Sequence, residues 1–214
     1  MSLDAGRIRE SLNRLRASRS SAFGADSHRF LLNEPLTQAN VSAFESRYSV
    51  RLPEEYRHFL TVIANGGAGP FLGVFPLGMM DDGFILQPWQ ENGDFVGVLS
   101  KPFAFETEWN DLNGKPPDDL AELDPSSYAA KMDEFEQYYW GGALMSGAIP
   151  ICHEGCALRV WLVVTGLQAG QLWHDGRADY TGLKPVRLSD GAVATFAPWY
   201  EEWLDKTLEE SRSA

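Results

Sequence analysis

The sequence predicts an α+β fold, in which a mainly antiparallel sheet is covered by N-terminal and C-terminal helices. Helical periodicity marks both ends of the chain, whereas short extended runs separated by Gly and Pro lie between them. The regular strand–helix alternation typical of a doubly wound parallel sheet is missing from the pattern. With 214 residues, 44% of them hydrophobic, the chain can bury a core without a disulfide or a metal.

An amphipathic helix is predicted near the N-terminus, because Ile8, Leu12 and Leu15 share one helical face. Arginines surround this stripe at Arg7, Arg9, Arg14, Arg16 and Arg19. We expect the basic helix to dock on its own acidic domain, with contact to a partner or a membrane surface as the alternative. We assign residues 1–27 to a helical arm and linker, and residues 28–214 to the main domain.

Two further helices are predicted before the extended segments. Thr37 can cap the first of them, since its hydroxyl accepts a hydrogen bond from a free backbone N–H. Pro53 suits the first position of the second, where a missing N–H has no cost. The tripeptide Asn65-Gly66-Gly67 is expected to end this helix in a left-handed conformation.

Extended runs recur through the remainder of the chain and predict five short strands. They cover residues 71–75, 95–99, 148–152, 158–165 and 171–174. The polar sequence His153-Glu154-Gly155 is the predicted turn of a hairpin between the third and the fourth strand. The chain then closes with an amphipathic helix from Phe196, for which Thr195 is the predicted cap.

The charge of the chain restricts its partners. Eighteen Lys and Arg residues oppose 30 Asp and Glu residues, and the net charge of −12 would repel a nucleic acid and attract a cationic partner. Two cysteines are too few for a secreted disulfide scaffold, and charges near the N-terminus interrupt any signal-peptide core. No apolar run reaches the length of a membrane span. We therefore expect a soluble cytoplasmic protein that binds neither nucleic acid nor membranes.

No catalytic or metal-binding motif is recognisable in the sequence. The soft metal ligands are Cys152, His153, Cys156 and His174. Their spacing matches neither a zinc ribbon nor a zinc finger, so we expect no metal and no cofactor. Gly66 and Gly67 follow a predicted helix, whereas a phosphate-binding loop follows a strand, and Ser146 lacks the flanking glycine of a nucleophile elbow. A pair of carboxylates acting as acid and base is the remaining enzymatic alternative.

An acidic tract is the strongest feature of the predicted surface. Between residues 106 and 136, ten Asp or Glu residues oppose two Lys residues, so the balance is −8. Asp124 and Pro125 within the tract start another predicted helix. A solvated surface is the simplest interpretation of the tract, and a docking face for a basic protein is the functional one. The candidate contact residues are Asp118, Asp119, Glu122, Asp133 and Glu134.

Two groups of residues form a recognisable pattern. The first lies within residues 36–77, at Phe44, Glu45, Leu52, Pro53, Glu54, Glu55, Tyr56, Phe59, Leu60, Asn65, Gly66 and Gly67. The second comprises Gly170, Leu172, Trp173, Asp175 and the closing Phe196-Ala197-Pro198-Trp199 segment. Together they resemble the SUKH superfamily, also known as the Smi/Knr family of fungal cell-wall regulators, from which His174 and Pro198 depart. Residues 78–147 match loosely and are the place of a possible insertion.

The resemblance implies an α+β domain that binds other proteins and has no catalytic residues. Many bacterial members of the superfamily are immunity proteins that neutralise toxin domains, often nucleases, and the net charge of −12 suits a basic toxin domain. A regulatory scaffold of the fungal type is the alternative function. A cleft at the ends of the predicted elements would present Asn65, Gly66, Gly67, Trp173 and Asp175 to the partner.

Overall fold

The computed structural model describes residues 3–81 and 85–213 and confirms the α+β class. The α-helices are α1 (Ala5–Ala17), α2 (Ala25–His28), α3 (Gln38–Tyr48), α4 (Glu54–His58), α5 (Leu120–Leu123), α6 (Pro125–Tyr139) and α7 (Phe196–Ser213). The strands are β1 (Met79–Asp81), β2 (Leu86–Pro88), β3 (Ala148–Gly155), β4 (Leu158–Val163), β5 (Leu172–Asp175) and β6 (Leu183–Pro185). No helix within the two described ranges is sufficiently long and apolar to span a bilayer.

Strands β3 to β6 form an antiparallel sheet in sequence order, and β1 pairs with β2 in a separate two-stranded sheet. Single bridges extend the larger sheet on both sides. Val74 pairs with Cys152 beside β3, and Gly67 pairs with Val74 one step further out. Trp109 pairs with Leu183 beside β6. Short segments that are far apart in sequence therefore widen the sheet beyond its four strands.

Side-chain alternation gives this sheet two different faces. Val160 and His174 are paired across β4 and β5 and line one groove together with Trp199, so α7 lies on their side of the sheet. Trp173 precedes His174 in β5 and faces the other way. Its ring lies 4.9 Å from that of Phe103, in the long segment between β2 and β3. The sheet is thus covered by the helical layer on one face and by this long segment on the other.

The N-terminal helix α1 packs on α7 through its predicted apolar stripe. Ile8, Leu12 and Leu15 are buried, and Arg7 of α1 forms an ion pair with Asp205 of α7. The basic helix is therefore docked on its own chain. Arg7 stabilises that docking, since the facing side of α7 carries carboxylates.

The starts of α3 and α6 agree with the residues expected from the sequence, and the start of α4 differs by one residue. The Thr37 hydroxyl accepts a hydrogen bond from the N–H of Asn40 at 3.1 Å, and the Asp124 carboxylate accepts one from the N–H of Ser127 at 3.1 Å. Pro53 lies one residue before the first helical residue of α4, instead of at the first position. Its fixed φ suits either place.

The end of the third long helical segment differs from the prediction. After α4 the chain continues as a π-helical turn over Phe59–Ile63 and stops at Ala64, which is extended (φ −167°, ψ 151°). Gly66 and Gly67 have positive φ, as expected, but they allow a close approach of two backbones. A Cβ on Gly66 would lie 2.6 Å from the carbonyl oxygen of Val74. Their role is therefore to join the helical layer to the edge of the sheet.

Two predicted strands are absent as regular ladders. In residues 71–75, Phe71 and Gly73 have positive φ (53° and 103°), which interrupts the extended run and leaves only Val74 paired, in single bridges to Cys152 and Gly67. Residues 95–99 likewise take part in a single bridge. Apolar composition predicts both strands, although each run contains a glycine, Gly73 or Gly97, which is a common sign of an interrupted strand.

The hairpin turn lies further along the chain than predicted. Strands β3 and β4 are joined at Cys156 and Ala157, whose φ angles are 49° and 64°, and not at His153-Glu154-Gly155. Two consecutive positive φ angles are typical of a type I′ hairpin turn, which usually has the sequence Asn-Gly or Asp-Gly. Strand β6 was also not predicted, because it has three residues and ends in a proline.

Candidate functional site

The five predicted acidic contact residues form one exposed surface, which we call the acidic face. Its members are Asp118, Asp119, Glu122, Asp133 and Glu134. The first three lie at the start of α5 or within it, and the other two lie on the adjacent α6. Within the described part of the chain, the one ion pair of this set joins Asp118 to Lys115 at 3.4 Å. Most of the negative charge is therefore available to solvent or to a partner.

Large apolar side chains are exposed close to the acidic face in sequence. Tyr138 near the end of α6 is 51% exposed, and Trp140 directly after the helix is 40% exposed. Leu123, the last residue of α5, is 80% exposed. Exposed aromatic residues amid charge are the composition typical of interface anchors. The sequence prediction did not include these three side chains, although Tyr138 lies within the helix predicted from Asp124 and Trp140 directly follows it.

Aromatic stacking holds α6 against the rest of the molecule. Phe135 and Tyr139 are buried, with ring centroids 5.0 Å apart, and Trp109 lies 5.5 Å from Tyr139. The Tyr139 hydroxyl donates to Asn110 Oδ1 at 2.6 Å. Burial raises the pKa of Tyr139, so this hydroxyl keeps its proton and remains a donor. The two members of the acidic face on α6, Asp133 and Glu134, consequently lie on a firmly packed helix.

A buried ion pair fixes the C-terminal end of α6. The guanidinium of Arg177 donates to Asp175 through Nε at 2.8 Å and through Nη2 at 2.7 Å. Its remaining nitrogen, Nη1, donates to the carbonyl of Tyr139 at 3.1 Å. Trp140 Nε1 in turn donates to the carbonyl of Arg177 at 3.2 Å. A cation at a helix C-terminus is favourable, because the carbonyls there carry the negative end of the dipole.

The remaining predicted site residues have positions other than an open cleft. Trp173 is fully buried, and Asp175 is 8% exposed and held by Arg177, so neither side chain is open to a partner. Asn65 is partly exposed, and its Oδ1 accepts a hydrogen bond from the N–H of Leu77 at 2.8 Å. Trp173 and Asp175 support the fold, and Asn65 orders the loop that follows the π-helical turn.

The structure does not bring the two groups of predicted residues together. Gly67 lies beyond the β3 edge of the sheet, through its bridge to Val74. The acidic face is attached near the other edge, where Trp109 pairs with Leu183. A partner contacting the acidic face would therefore approach the edge of the sheet at β6, and Gly67 lies beyond the other edge, at β3. The sequence could not show this, because strand order is decided by long-range pairing.

A groove that was not predicted from the sequence lies between α7 and the strands that carry Val160 and His174. Its volume is about 670 Å³, and Phe71, Val160, Trp199 and Trp203 provide its apolar lining. His174 Nδ1 lies 2.9 Å from Glu154 Oε1 within it. Four Glu residues and three Lys or Arg residues line the groove, so its charge is nearly balanced. It offers an apolar binding surface with little electrostatic selectivity.

The cysteines and histidines noted in the sequence are dispersed. Cys152 is buried, and its thiol donates to the carbonyl of Pro70 at 3.1 Å, while Cys156 is exposed in the hairpin turn. Burial raises the pKa of the Cys152 thiol, which keeps it protonated. His153 Nδ1 lies 3.1 Å from Asp81 Oδ2. Residues 3–81 and 85–213 contain no group of three or more His, Cys, Asp or Glu residues suited to a metal ion.

Comparison with protein families gives a match over most of the chain. The model of the SMI1/KNR4 family (SUKH-1) matches residues 35–181, which is more than half of the sequence. The chain belongs to the SMI1/KNR4 family. The predicted SUKH membership is thereby confirmed. Neither curated proteins nor solved structures gave a match.

The two candidate surfaces of this SMI1/KNR4 protein, the acidic face and the groove, differ in their position relative to the family match. The acidic face and the Asp175–Arg177 pair both lie within residues 35–181. Helix α7, which forms one wall of the groove, lies outside the matched range. The acidic face therefore lies inside the matched range, within the segment 78–147 that follows the SUKH pattern only loosely.

Proposed function

We propose that this SMI1/KNR4 protein is a non-enzymatic immunity protein that binds and occludes a basic bacterial toxin domain, such as a nuclease. The observation that carries the proposal is the acidic face, an exposed set of carboxylates on α6, which buried contacts hold in place, and at the adjacent α5. Family membership supports a protein-binding role at a coarser level. The toxin would act in the cytoplasm, and the proposal accordingly assigns this protein to the same compartment.

Electrostatics favour a basic partner. The tract from 106 to 136 has a balance of −8, which is two thirds of the net charge of −12. A nuclease binds phosphates through Lys and Arg, so an acidic surface competes for the same groups. Complementary charge of this kind mainly accelerates association, and its effect decreases as salt screens it.

Rigid, largely apolar side chains would slow the dissociation of the complex. Tyr138 and Trp140 offer large amphipathic side chains with few rotatable bonds. Trp140 is already oriented by its hydrogen bond to the carbonyl of Arg177. Because the helix end is fixed before binding, less conformational entropy is lost on complex formation.

A binding experiment with basic bacterial toxin domains, nucleases among them, would test the proposal. We expect nanomolar association whose rate falls with rising ionic strength. In the D133N/E134Q variant the association rate should fall by roughly threefold to tenfold, with little change in dissociation. The matched control, E34Q/E54Q, removes two exposed carboxylates outside the acidic face and should bind like the natural protein.

A second variant separates anchoring from steering. W140A should increase the dissociation rate and leave the salt dependence of association unchanged. Equal binding by all variants, or association that is indifferent to ionic strength, would show that another surface contacts the toxin.

The groove favours a second candidate function, a regulatory scaffold of the fungal type. Its apolar lining and nearly balanced charge suit a host protein segment better than a strongly basic domain. Loss of a host partner on substitution of the exposed groove residue Phe23 in F23K, together with unaltered binding by D133N/E134Q, would support the scaffold instead of the immunity function.

A further inference from the structure

A basic pocket lies where α1 ends and α2 begins. Its volume is about 320 Å³, and its polar lining consists of Arg16, Arg19, Arg29, Ser20 and Asp26. Three arginines and one aspartate give this pocket a formal charge of +2, although the chain as a whole carries −12. The rest of the chain therefore carries −14, and the pocket is an isolated basic site on an acidic molecule.

The three guanidinium groups make no specific contact with the described residues, and Arg16 lies in the last turn of α1, where its charge suits the helix dipole. Among the described residues, the side chains of Arg16, Arg19 and Arg29 form neither a hydrogen bond nor an ion pair. Other arginines have structural partners; for example, Arg9 donates to the carbonyl of Val62 at 3.0 Å. The guanidinium donors in the pocket are thus free to bind a ligand.

Two of these arginines occupy backbone positions that glycine would fill more easily. Arg19 (φ 52°) follows α1 in a Schellman arrangement, in which its N–H donates to Arg16 and the N–H of Ser20 donates to Leu15, both at 3.1 Å. Arg29 (φ 51°) ends α2 in the same left-handed region. A helix commonly ends at Gly in this conformation, because a Cβ there is unfavourable. Strained positions of this type cluster at binding sites.

We propose that this pocket binds the phosphate group of a compact soluble ligand. A phosphate monoester carries a charge of about −1.5 to −2 near neutral pH, which matches the +2 of the pocket. Guanidinium groups donate paired hydrogen bonds to phosphate oxygens, and Ser20 adds a hydroxyl. A long polyanion or an anionic membrane would also meet the acidic remainder of the chain and be repelled. The site is separate from the acidic face and does not depend on the proposed immunity function.

The test is a titration of the full chain with pyrophosphate at constant ionic strength. Calorimetry measures the binding, and thermal unfolding measures the stability of the protein with and without pyrophosphate. We expect saturable binding that weakens by at least about tenfold in the R16Q/R29Q variant. The control R51Q removes one exposed arginine that does not line the pocket and should retain binding.

The R19G variant distinguishes a ligand role from a structural one. Because glycine relieves the left-handed backbone, R19G should unfold at the same or a higher temperature than the natural protein while binding pyrophosphate more weakly. Lower thermal stability with unchanged binding would mean that Arg19 is only a helix cap, and would overturn the proposal.

Two control titrations separate phosphate binding from charge screening and from membrane binding. Sodium chloride at equal ionic strength should not reproduce the pyrophosphate effect, and an equal response would reduce it to general screening. Vesicles containing phosphatidylserine should not bind the chain. Binding to vesicles without binding to pyrophosphate would identify a membrane surface as the ligand and contradict the proposal.

Discussion

Arg177 joins the acidic helix to the sheet through Asp175. The two carboxylate oxygens of Asp175 accept hydrogen bonds from Arg177 at 2.8 and 2.7 Å, and the same guanidinium donates to the carbonyl of Tyr139 at the end of α6. Both charged side chains are largely buried. A residue of the SUKH-like motif thus holds in place the helix that bears Asp133 and Glu134 of the acidic face.

Removing the charge of Asp175 should destabilise the protein. In D175N the guanidinium of Arg177 remains buried without its anion, and the free energy of unfolding should decrease by about 3 kcal/mol. Urea denaturation measures this change. The control D133N alters an exposed carboxylate of α6 and should change stability by less than about 0.5 kcal/mol. Equal stabilities of the two variants would contradict the anchoring role.

Stability should depend on pH through His28. Burial lowers the pKa of His28 to about 4 from 6.5, and its Nδ1 accepts a hydrogen bond from the N–H of Phe30 at 3.0 Å. The unfolded chain therefore binds this proton below pH 6.5, whereas the folded chain binds it only near pH 4. The contribution is fully present above pH 6.5 and is lost as the pH falls towards 4, by roughly 3 kcal/mol.

The H28N variant isolates this effect, since the asparagine oxygen can accept the same hydrogen bond but does not titrate. Denaturation of both proteins between about pH 4 and 7 should show a stability difference that varies with pH in this window. If the stability difference between the two proteins does not vary with pH, other groups cause the pH dependence.

The G67A substitution should destabilise the contact between the helical layer and the sheet. Gly67 has φ 104°, and an added Cβ would lie 2.5 Å from the carbonyl oxygen of Leu31. We expect G67A to lower the unfolding free energy by about 3 kcal/mol or more, because strain and a clash combine. Gly170 has a similar φ of 96° with open space around it, so G170A should cost only about 1 kcal/mol. Similar losses in both variants would show that φ alone matters.

The hydroxyl of Tyr200 provides a test of the contact between α7 and the loop that follows Gly66 and Gly67. It donates to the carbonyl of Ala68 at 2.8 Å, and the side chain is fully buried. Removing the hydroxyl in Y200F leaves this buried carbonyl unsatisfied and should cost about 1 to 2 kcal/mol in chemical denaturation. The exposed Tyr138 is the matched control, and Y138F should leave stability unchanged. A neutral Y200F would mean that water replaces the hydroxyl.

The local parts of the fold were predictable because their signals lie within a few residues. The stripe of Ile8, Leu12 and Leu15 predicted α1, and the caps Thr37 and Asp124 predicted the starts of α3 and α6. Capping and periodicity act between neighbours along the chain, so sequence reasoning can assess them. The hairpin turn at 156–157 was missed, because its residues lack the usual type I′ composition.

The candidate site was predictable only in its charge. The acidic residues between 106 and 136 were evident as a run, but their attachment to the sheet depends on Arg177 and Tyr139, which are 38 residues apart. Trp173 was assigned to a cleft and proves to be core, because strand alternation turns it away from the groove that His174 lines. The groove itself joins segments from distant parts of the chain.

The sequence by itself determined the class of fold, the family and the sign of the surface charge, since composition, periodicity and short motifs carry that information. Only the tertiary structure decided which charged groups are used within the fold and which remain free. Asp175 and Arg177 neutralise one another inside the protein, whereas Arg16, Arg19 and Arg29 line an open pocket without a partner among the described residues. The physical reason is that pairing and burial depend on distances in space, which chain folding sets: Arg177 is two residues from Asp175 in sequence, but it is buried with its anion only where the end of α6, 38 residues away, packs against it.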